Sequence, residues 1–498
     1  MRKFMTLVLS GVILIGSVFN TSASFAAMTT YTVQDGDVLW EIAAENNVST
    51  DELIAYNNLS NPNVLTVGQA LQLPAAELKA KNVILLIGDG MGFGQMELAR
   101  LLEYGKTGEL NMEDMDHTAF VKTNSYSSIV TDSAAAGTAI ATGVKTYNEG
   151  IGVDQDGNEV DSMADLFKNK GKSIGIISTN TVYDATPATF VSSAALRSDK
   201  AEIVRDMLES DWDVLLGGGT KYFSPKKQDG VDMIEKYKEN GYDYVTDRDE
   251  LNAIQDSDKL LGLFSYDYMS YKTDREEVKS NEPTLQEMTA KAIELLSDDE
   301  DGFFIMSEGA RIDHAAHAAD ATGVWKELIE FDETVKYCMD WAAENGDTLV
   351  IVTADHNTMS VAPSETMDLE AVKAITASPE YMGIQLEKNA DETLYTIESI
   401  QSVIKEYSGI ELNDQDAEEL QARLDVELYD YKLGWEIGSV IAHKLGVGAM
   451  DWELRKRSET GGHVASWVPI FAEGPGAEDF EGVLDNTEII DIILDNTK

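Results

Sequence analysis

The chain of 498 residues is 43% hydrophobic and 26% charged, with 38 Lys+Arg against 89 Asp+Glu and one cysteine. A length of this order holds about two to four domains, or one large α/β domain with a small module, and the apolar share is ample for a core, which excludes a disordered tail. A net charge of −51 argues against nucleic acid as a specific partner, since that binding needs clustered Lys and Arg; the lone Cys338 excludes an intrachain disulfide and any cysteine-based metal centre. A metal in this protein must be held by His and carboxylates.

At the N-terminus Arg2 and Lys3 precede an apolar run from Thr6 to Phe19, and Ser24-Phe25-Ala26-Ala27 offers the small residues of a signal-peptidase site. The run is short for a bilayer span, which takes about 20 residues. Residues 1–27 therefore read as a cleaved secretory signal, and the mature protein as secreted, extracellular or cell-wall-associated, with no membrane span after cleavage.

Residues 29–74 read as a small β-α-α-β unit. Tyr31 and Val33 alternate as a short strand, and Asp37 is placed to cap a helix carrying Leu39, Trp40, Ile42 and Ala43 on its apolar face. Ser49 or Thr50 opens a second helix with Leu53, Ile54 and Tyr56, and Val67 to Leu73 returns as a strand. With Gly36-Asp37, Leu39-Trp40, Asn57 and Gly68-Gln69 at its recurring positions, the stretch resembles the lysin motif (LysM) over nearly its whole length. That resemblance implies binding of a glycan containing N-acetylglucosamine, peptidoglycan or chitin, through the loops after the first strand and between the second helix and second strand. Gly36, Asp37 and Asn61, with the stretch to Leu65, are the glycan-binding candidates; Leu39 and Trp40 are expected to pack in the core instead.

Residues 75–81 are a polar, alanine-rich linker, and from residue 82 to 498 the pattern changes. Strand-length apolar runs (83–87, 173–178, 214–216, 303–306, 349–353 and 468–472) alternate with helical segments such as 200–209, 285–296 and 324–343. Continuous apolar runs of this kind predict an α/β fold with a mainly parallel central sheet and helices on both faces. In such folds chemistry gathers at the carboxyl ends of strands. Asp89, Glu308, Asp355 and His356 fall at those ends, Asp313 and His317 lie one helical turn apart, and His463 precedes the last strand. So many carboxylates converging on one cleft would need cations, because unneutralised burial costs several kcal/mol per group. Ser133 opens an alanine-rich helix. A serine there is most often a cap, and no G-x-S-x-G elbow is present; a metal can instead lower its hydroxyl pKa while the helix terminus favours a phosphate.

Taken together and in order, I-G-D-G-M-G (87–92), T-D-S-A-A-A-G-T-A (131–139), D-A-T-P-A (184–188), E-G-A-R-I-D-H-A-A-H (308–317), T-A-D-H (353–356) and G-G-H (461–463) resemble alkaline phosphatase, over about Ala80 to Lys498. The resemblance implies hydrolysis of phosphate monoesters through a phosphoserine on Ser133, with two Zn2+ and one Mg2+. It places Asp313, His317 and His463 on one zinc and Asp89, Asp355 and His356 on the other. Thr186 and Glu308 fall on the magnesium, with Asp184 orienting its water shell. Arg197 matches the arginine that clamps phosphate, and Asp132 the residue that holds that arginine. His314 stands where family members differ, and an imidazole there would suit a transition metal in the third site. Residues 357–460, with Trp435, match a variable insertion near the site entrance and yield no residue-level inference; His117 and His443 read as structural or surface residues. A homodimer is the family's common assembly. Two other readings remain: a phosphodiesterase of the same superfamily, and a catalytically inactive glycan-binding wall protein.

Overall fold

The computed structural model describes residues 29–45, 50–73, 79–210 and 212–498. The expected signal, Ser49, Pro74 at the end of the small unit and linker residues 75–78 lie outside the described residues. The chain divides into two compact units, Met1–Leu78 and Lys79–Lys498. No helix among the described residues is long and apolar enough to cross a membrane.

In the first unit strand β1 (Thr29–Thr32) pairs antiparallel with β2 (Ala70–Leu73), and helices Leu39–Glu45 and Thr50–Tyr56 lie between them in sequence. Val33, Leu39, Ile42, Ala43, Leu53, Leu71 and Leu73 form its core. Asn57 ties the second helix to β2: its amide donates to the Gln72 carbonyl at 2.7 Å and its Oδ1 accepts from the Gln72 N–H at 2.7 Å. The expectation for Trp40 is corrected, because its side chain is 62% exposed. Leu39, Ile42 and Ala43, spaced i, i+3, i+4, fill the one stripe that so short a helix can bury, and position 40 lies about 100° round the axis from position 39. Tyr56, at the last position of its helix, is likewise half exposed rather than core.

The second unit is built on a sheet whose strands are, in chain order, β3 (Asn82–Gly88), β4 (His117–Lys122), β5 (Ser173–Thr181), β6 (Val214–Gly218), β7 (Asp243–Val245), β8 (Leu260–Leu263), β9 (Phe303–Gly309) and β10 (Thr348–Thr353). There follow a separate hairpin of β11 (Asn357–Thr358) and β12 (His463–Val464), and then β13 (Val468–Glu473) and β14 (Gly482–Asp485) of the main sheet. The spatial order is β14-β4-β13-β10-β3-β9-β5-β6-β8-β7, and only β13 runs antiparallel to its neighbours, β10 and β4. Every residue of β3, β9 and β10 is buried, so both faces of the sheet centre are covered. Residues 357–460 carry a second apolar core, in which Val372, Met382, Ile400, Leu420 and Ile437 pack in one cluster with Leu98 and Leu102.

Register sets where the site forms. Ile87 lies opposite Thr353, Gly88 opposite Gly309, and Ser178 opposite Glu308, so β10, β3, β9 and β5 present their carboxyl ends along one edge. The chain turns sharply after β3 at Gly90, whose φ is +70° and where a Cβ would come within 2.9 Å of Asp313. Only glycine meets both demands.

Candidate active site

Asp89 leaves the end of β3, Asp355 and His356 follow β10, and Asp313 and His317 share the helix Arg311–His317 after β9. His463 is delivered by β12, which pairs it with Thr358 of β11. The ligand atoms of Asp313, His356 and His463 lie within 4.8 Å of one another, and so do those of Asp89, Asp355 and His356. His317 joins the first group, its Nε2 standing 3.2 Å from Asp313 Oδ2 and 3.3 Å from His463 Nε2.

The hydrogen bonds to the imidazoles settle which nitrogen faces the centre. His317 Nδ1 lies 2.9 Å from the Gly461 carbonyl and His463 Nδ1 2.9 Å from the Thr131 carbonyl; a carbonyl only accepts, so both Nδ1 atoms carry the proton. His356 Nδ1 is 3.2 Å from the Thr358 hydroxyl, whose own proton goes to Asp313 Oδ1 at 2.5 Å, so Thr358 accepts from His356. All three Nε2 atoms thus turn lone pairs inward, and two of them face each other at 3.3 Å. Nitrogen lone pairs at that distance repel unless a cation lies between them. This is the arrangement by which outer partners orient histidine ligands on a metal.

The carboxylates make the same demand. Burial, with Asp355, Asp313 and Glu308 close by, pushes Asp89 well above the usual carboxylate range. Burial likewise pushes Asp355 up to about 7 and Glu308 up to about 8, while it brings His463 down to about 4. Asp89 Oδ1 and Asp355 Oδ2 are buried and accept no hydrogen bond. Asp313 goes the other way: burial opposes its charge, but His317, His463 and His356 beside it hold it well below the usual carboxylate range. Three acids that resist ionising beside imidazoles that resist protonation are a charge set completed by cations, and a mixed N/O donor set suits zinc.

Ser133 is the first residue of the helix Ser133–Thr142, capped by Asp132, whose Oδ1 accepts from Ala135 N–H at 3.0 Å. Its Oγ lies 3.1 Å from His356 Nε2. Arg197 reaches the same place, with Nη1 3.4 Å from Asp132 Oδ2 and Nη2 3.3 Å from Asp184 Oδ2. Burial opposes its charge, but Asp184, Asp132 and Glu149 more than offset it and hold the guanidinium above its ordinary value. Asp184 is in turn bound by Lys200 Nζ at 3.0 Å and Asn180 Nδ2 at 2.9 Å. The Glu149 backbone, in the left-handed region at φ +78°, donates to Asp132 Oδ2 at 3.0 Å and accepts from the Arg197 N–H at 2.8 Å. One residue so fixes both partners. A cavity of about 680 Å³ opens above, lined by Ser133, Arg197, Asp313, His317, His463 and Trp435 among others.

Glu308, Thr186 and Asp184 stand outside both tight groups. Glu308 accepts from the Ser178 hydroxyl directly across the β5–β9 pair, and Thr186 is buried in the helix Ala185–Val191 that Asp184 begins. His314 lines the cavity, but its Nδ1 lies 2.5 Å from Arg311 Nη1. A guanidinium only donates, so Nδ1 accepts and the proton of the neutral ring sits on Nε2. In that tautomer the ring turns no lone pair toward a metal. His117 on β4 and the exposed His443 lie apart from this centre.

Sequence reading missed Thr358, Ser178, Glu149 and Lys200. Thr358 was readable, since it stands two residues beyond His356 on one short extended run and shares its side. The others act through pairings that only the folded chain creates. In the first unit Gly36 adopts φ +99°, and Asp37 Oδ2 accepts from Gln34 N–H at 2.6 Å and from the Tyr31 hydroxyl at 2.8 Å. Asn61 is exposed, its Oδ1 accepting from the Asn63 N–H at 3.2 Å.

The family model described as Alkaline phosphatase matches residues 80–497, and that of the LysM domain residues 31–74. Alkaline phosphatase 3 of Bacillus subtilis (strain 168) is 33% identical over 457 residues, 88% of this chain and 93% of that protein. Among solved structures, the alkaline phosphatase of Thermus thermophilus superposes with a TM-score of 0.75 at 26% identity, covering 84% of this chain and 91% of that one. A variant of the alkaline phosphatase of the Antarctic bacterium TAB5, with Mg bound in its M3 site, superposes with a TM-score of 0.60 at 30% identity, covering 84% and 98%.

Proposed function

Because the chain belongs to the alkaline phosphatase family over residues 80–497 and carries a LysM domain over residues 31–74, we propose that it is a secreted phosphomonoesterase that works through a phosphoserine on Ser133 and is retained on cell-wall glycan. The observation that carries the reading is the meeting of Ser133 and Arg197 with Asp313, His317 and His463 at one cavity, with the Asp89–Asp355–His356 group reaching Ser133 through His356 Nε2 at 3.1 Å.

Asp313, His317 and His463 would hold one zinc and Asp89, Asp355 and His356 the other, with Glu308 and Thr186 on a magnesium whose water shell Asp184 orients; the Mg in the M3 site of the TAB5 variant supports that third assignment. Bound cations supply Lewis acidity, lowering hydroxyl pKa values and offsetting charge on the transferring phosphate. Arg197 binds two phosphate oxygens through its planar fork, which Asp132 and Asp184 hold from behind. A monoester has three free oxygens, two for this fork and one left for the cations; a diester has only two in all. Ser133 Oγ attacks phosphorus, the P–O bond to the alcohol breaks, and the alcohol gains a proton for the one Ser133 loses. Water then cleaves the Oγ–P bond, releasing inorganic phosphate and regenerating the serine hydroxyl. The N-terminus of the helix Ser133–Thr142 favours the phosphate charge throughout.

The test is hydrolysis of a chromogenic phosphomonoester beside the matching diester at alkaline pH, before and after chelation and zinc and magnesium readdition. Monoester preference that chelation removes and metal restores is expected; a preference for the diester would move the enzyme to another branch of the superfamily. For the LysM domain, deleting residues 31–74 is expected to abolish co-sedimentation with insoluble peptidoglycan or chitin while leaving monoester hydrolysis intact, and unchanged sedimentation would refute glycan retention.

A further inference from the structure

The histidines of the centre are not all held by the same parts of the chain. His463 is set by the Thr131 carbonyl, within the motif segments, and His356 by Thr358, two residues beyond its own motif. His317 is held at Nδ1 by Gly461 of the G-G-H motif, and at its ring face and backbone carbonyl by Trp435 and Arg455, in the stretch that sequence reading left without a role. The indole of Trp435, on the helix Asp430–Leu445, stacks on its imidazole with centroids 4.7 Å apart at 22°. The Gly461 carbonyl takes its Nδ1 proton, and the fit is close, since a Cβ at 461 would stand 2.8 Å from the indole and 3.1 Å from His317 Cε1. Arg455, buried to 3% exposure, fastens the two together: its Nη1 donates to the carbonyls of His317 at 3.1 Å and Trp435 at 3.0 Å, and its Nη2 to Glu436 Oε1 at 2.9 Å. Lys432, one turn before Trp435, lies with Nζ 3.3 Å from the indole centroid. The imidazole is thus fixed by its ring face, its Nδ1 and its own carbonyl, leaving Nε2 aimed at Asp313.

We propose that Trp435, braced by Arg455 and Lys432, is a positioning residue that locks the His317 imidazole in its ligating orientation and so slows the release of the metal that His317 binds. The proposal rests on the reading of His317 as a ligand. Its physical basis is that a ligand free to rotate pays orientation entropy on each binding event, whereas a ring stacked and hydrogen-bonded in place does not; outer partners of metal histidines have effects of about 10–100-fold in affinity. Trp435 is only partly buried, so its truncation does not open the core.

The experiment compares the full-length wild type with Trp435→Ala, Trp435→Phe and, as an exposed control, Trp467→Ala, all loaded with zinc. Zinc release into a chromogenic chelator is followed in time, and zinc content is measured at equilibrium in zinc-buffered solution. Trp435→Ala is expected to release one zinc population faster and to bind it about 10–100-fold more weakly. Trp435→Phe restores most of the difference, Trp467→Ala changes nothing, and the chelated proteins melt alike. Equal release by wild type and Trp435→Ala would overturn the proposal, as would parallel loss of all metal with a lower melting temperature of the chelated variant. A wild type that binds no zinc would instead overturn the ligand reading beneath it.

Discussion

Replacing Ser133 by alanine is expected to lower monoester turnover by roughly 10³–10⁶-fold, the range seen when a covalent nucleophile is removed and binding and electrostatics remain. The change deletes one oxygen, whose hydrogen bond in this protein is to His356 Nε2 at 3.1 Å. It leaves the Asp132 cap and the Arg197 clamp in place. Metal content and melting temperature should therefore match the wild type while initial rates collapse. A Ser133→Ala enzyme with normal metal content that keeps more than about one-hundredth of the rate would require another nucleophile, and water activated directly would be the first alternative.

Stability should show the second large effect, and its sign follows from the buried acids. In the folded chain, burial raises Asp355 to about 7 and Glu308 to about 8, against about 3.9 and 4.3 for Asp and Glu in an unfolded chain. Groups with raised folded pKa values contribute stability that is full below the unfolded value and is lost as pH rises through the folded one. His463, brought down to about 4, works the other way and loses stability as pH falls from about 6.5. The two trends oppose each other between about pH 4 and 6.5 and no longer do so above it. Chelated protein should therefore lose stability between pH 6.5 and 8.5, by an amount on the order of 3 kcal/mol. Metal-loaded protein should lose less, because these two carboxylates are already ionised as ligands, whereas buried Asp320 and Glu327, also raised to about 7, titrate in both forms. Calorimetric melting of both forms at pH 6.5 and 8.5 checks this: the gap between them should widen with pH, and a constant gap would mean that these carboxylates are not where the metal charge is balanced.

Much of this arrangement is legible in the chain alone, for reasons visible in particular elements. β3, β9 and β10 are continuous apolar runs because both their faces are buried, and such runs stand out in any sequence. Their flanking Asp, Glu and His residues then fall on one edge by topology. β4 is harder to see: it alternates buried Ala119 and Val121 with exposed neighbours, and it lies between β14 and β13 away from the sheet centre. β7 has three residues at the sheet's end and carries almost no pattern. Trp40 shows a further limit, since a large apolar residue on a short helix reads as core until the three-residue stripe that fills the core is known. Residues 357–460 offered no motif, because what Trp435 and Arg455 contribute is contact with His317 across the fold, and contact of that kind has no local spacing.

Phosphate that passes through Ser133 can be trapped there. Metal-replete enzyme is mixed with labelled phosphomonoester, quenched in acid and digested, and the labelled peptide is sequenced. Up to one phosphate per chain is expected on the peptide that contains Asp132-Ser133-Ala134, with none in Ser133→Ala and none in wild type that has been chelated beforehand. Full turnover by wild type with no label on that peptide, or label on another residue that survives Ser133→Ala, would contradict transfer through Ser133.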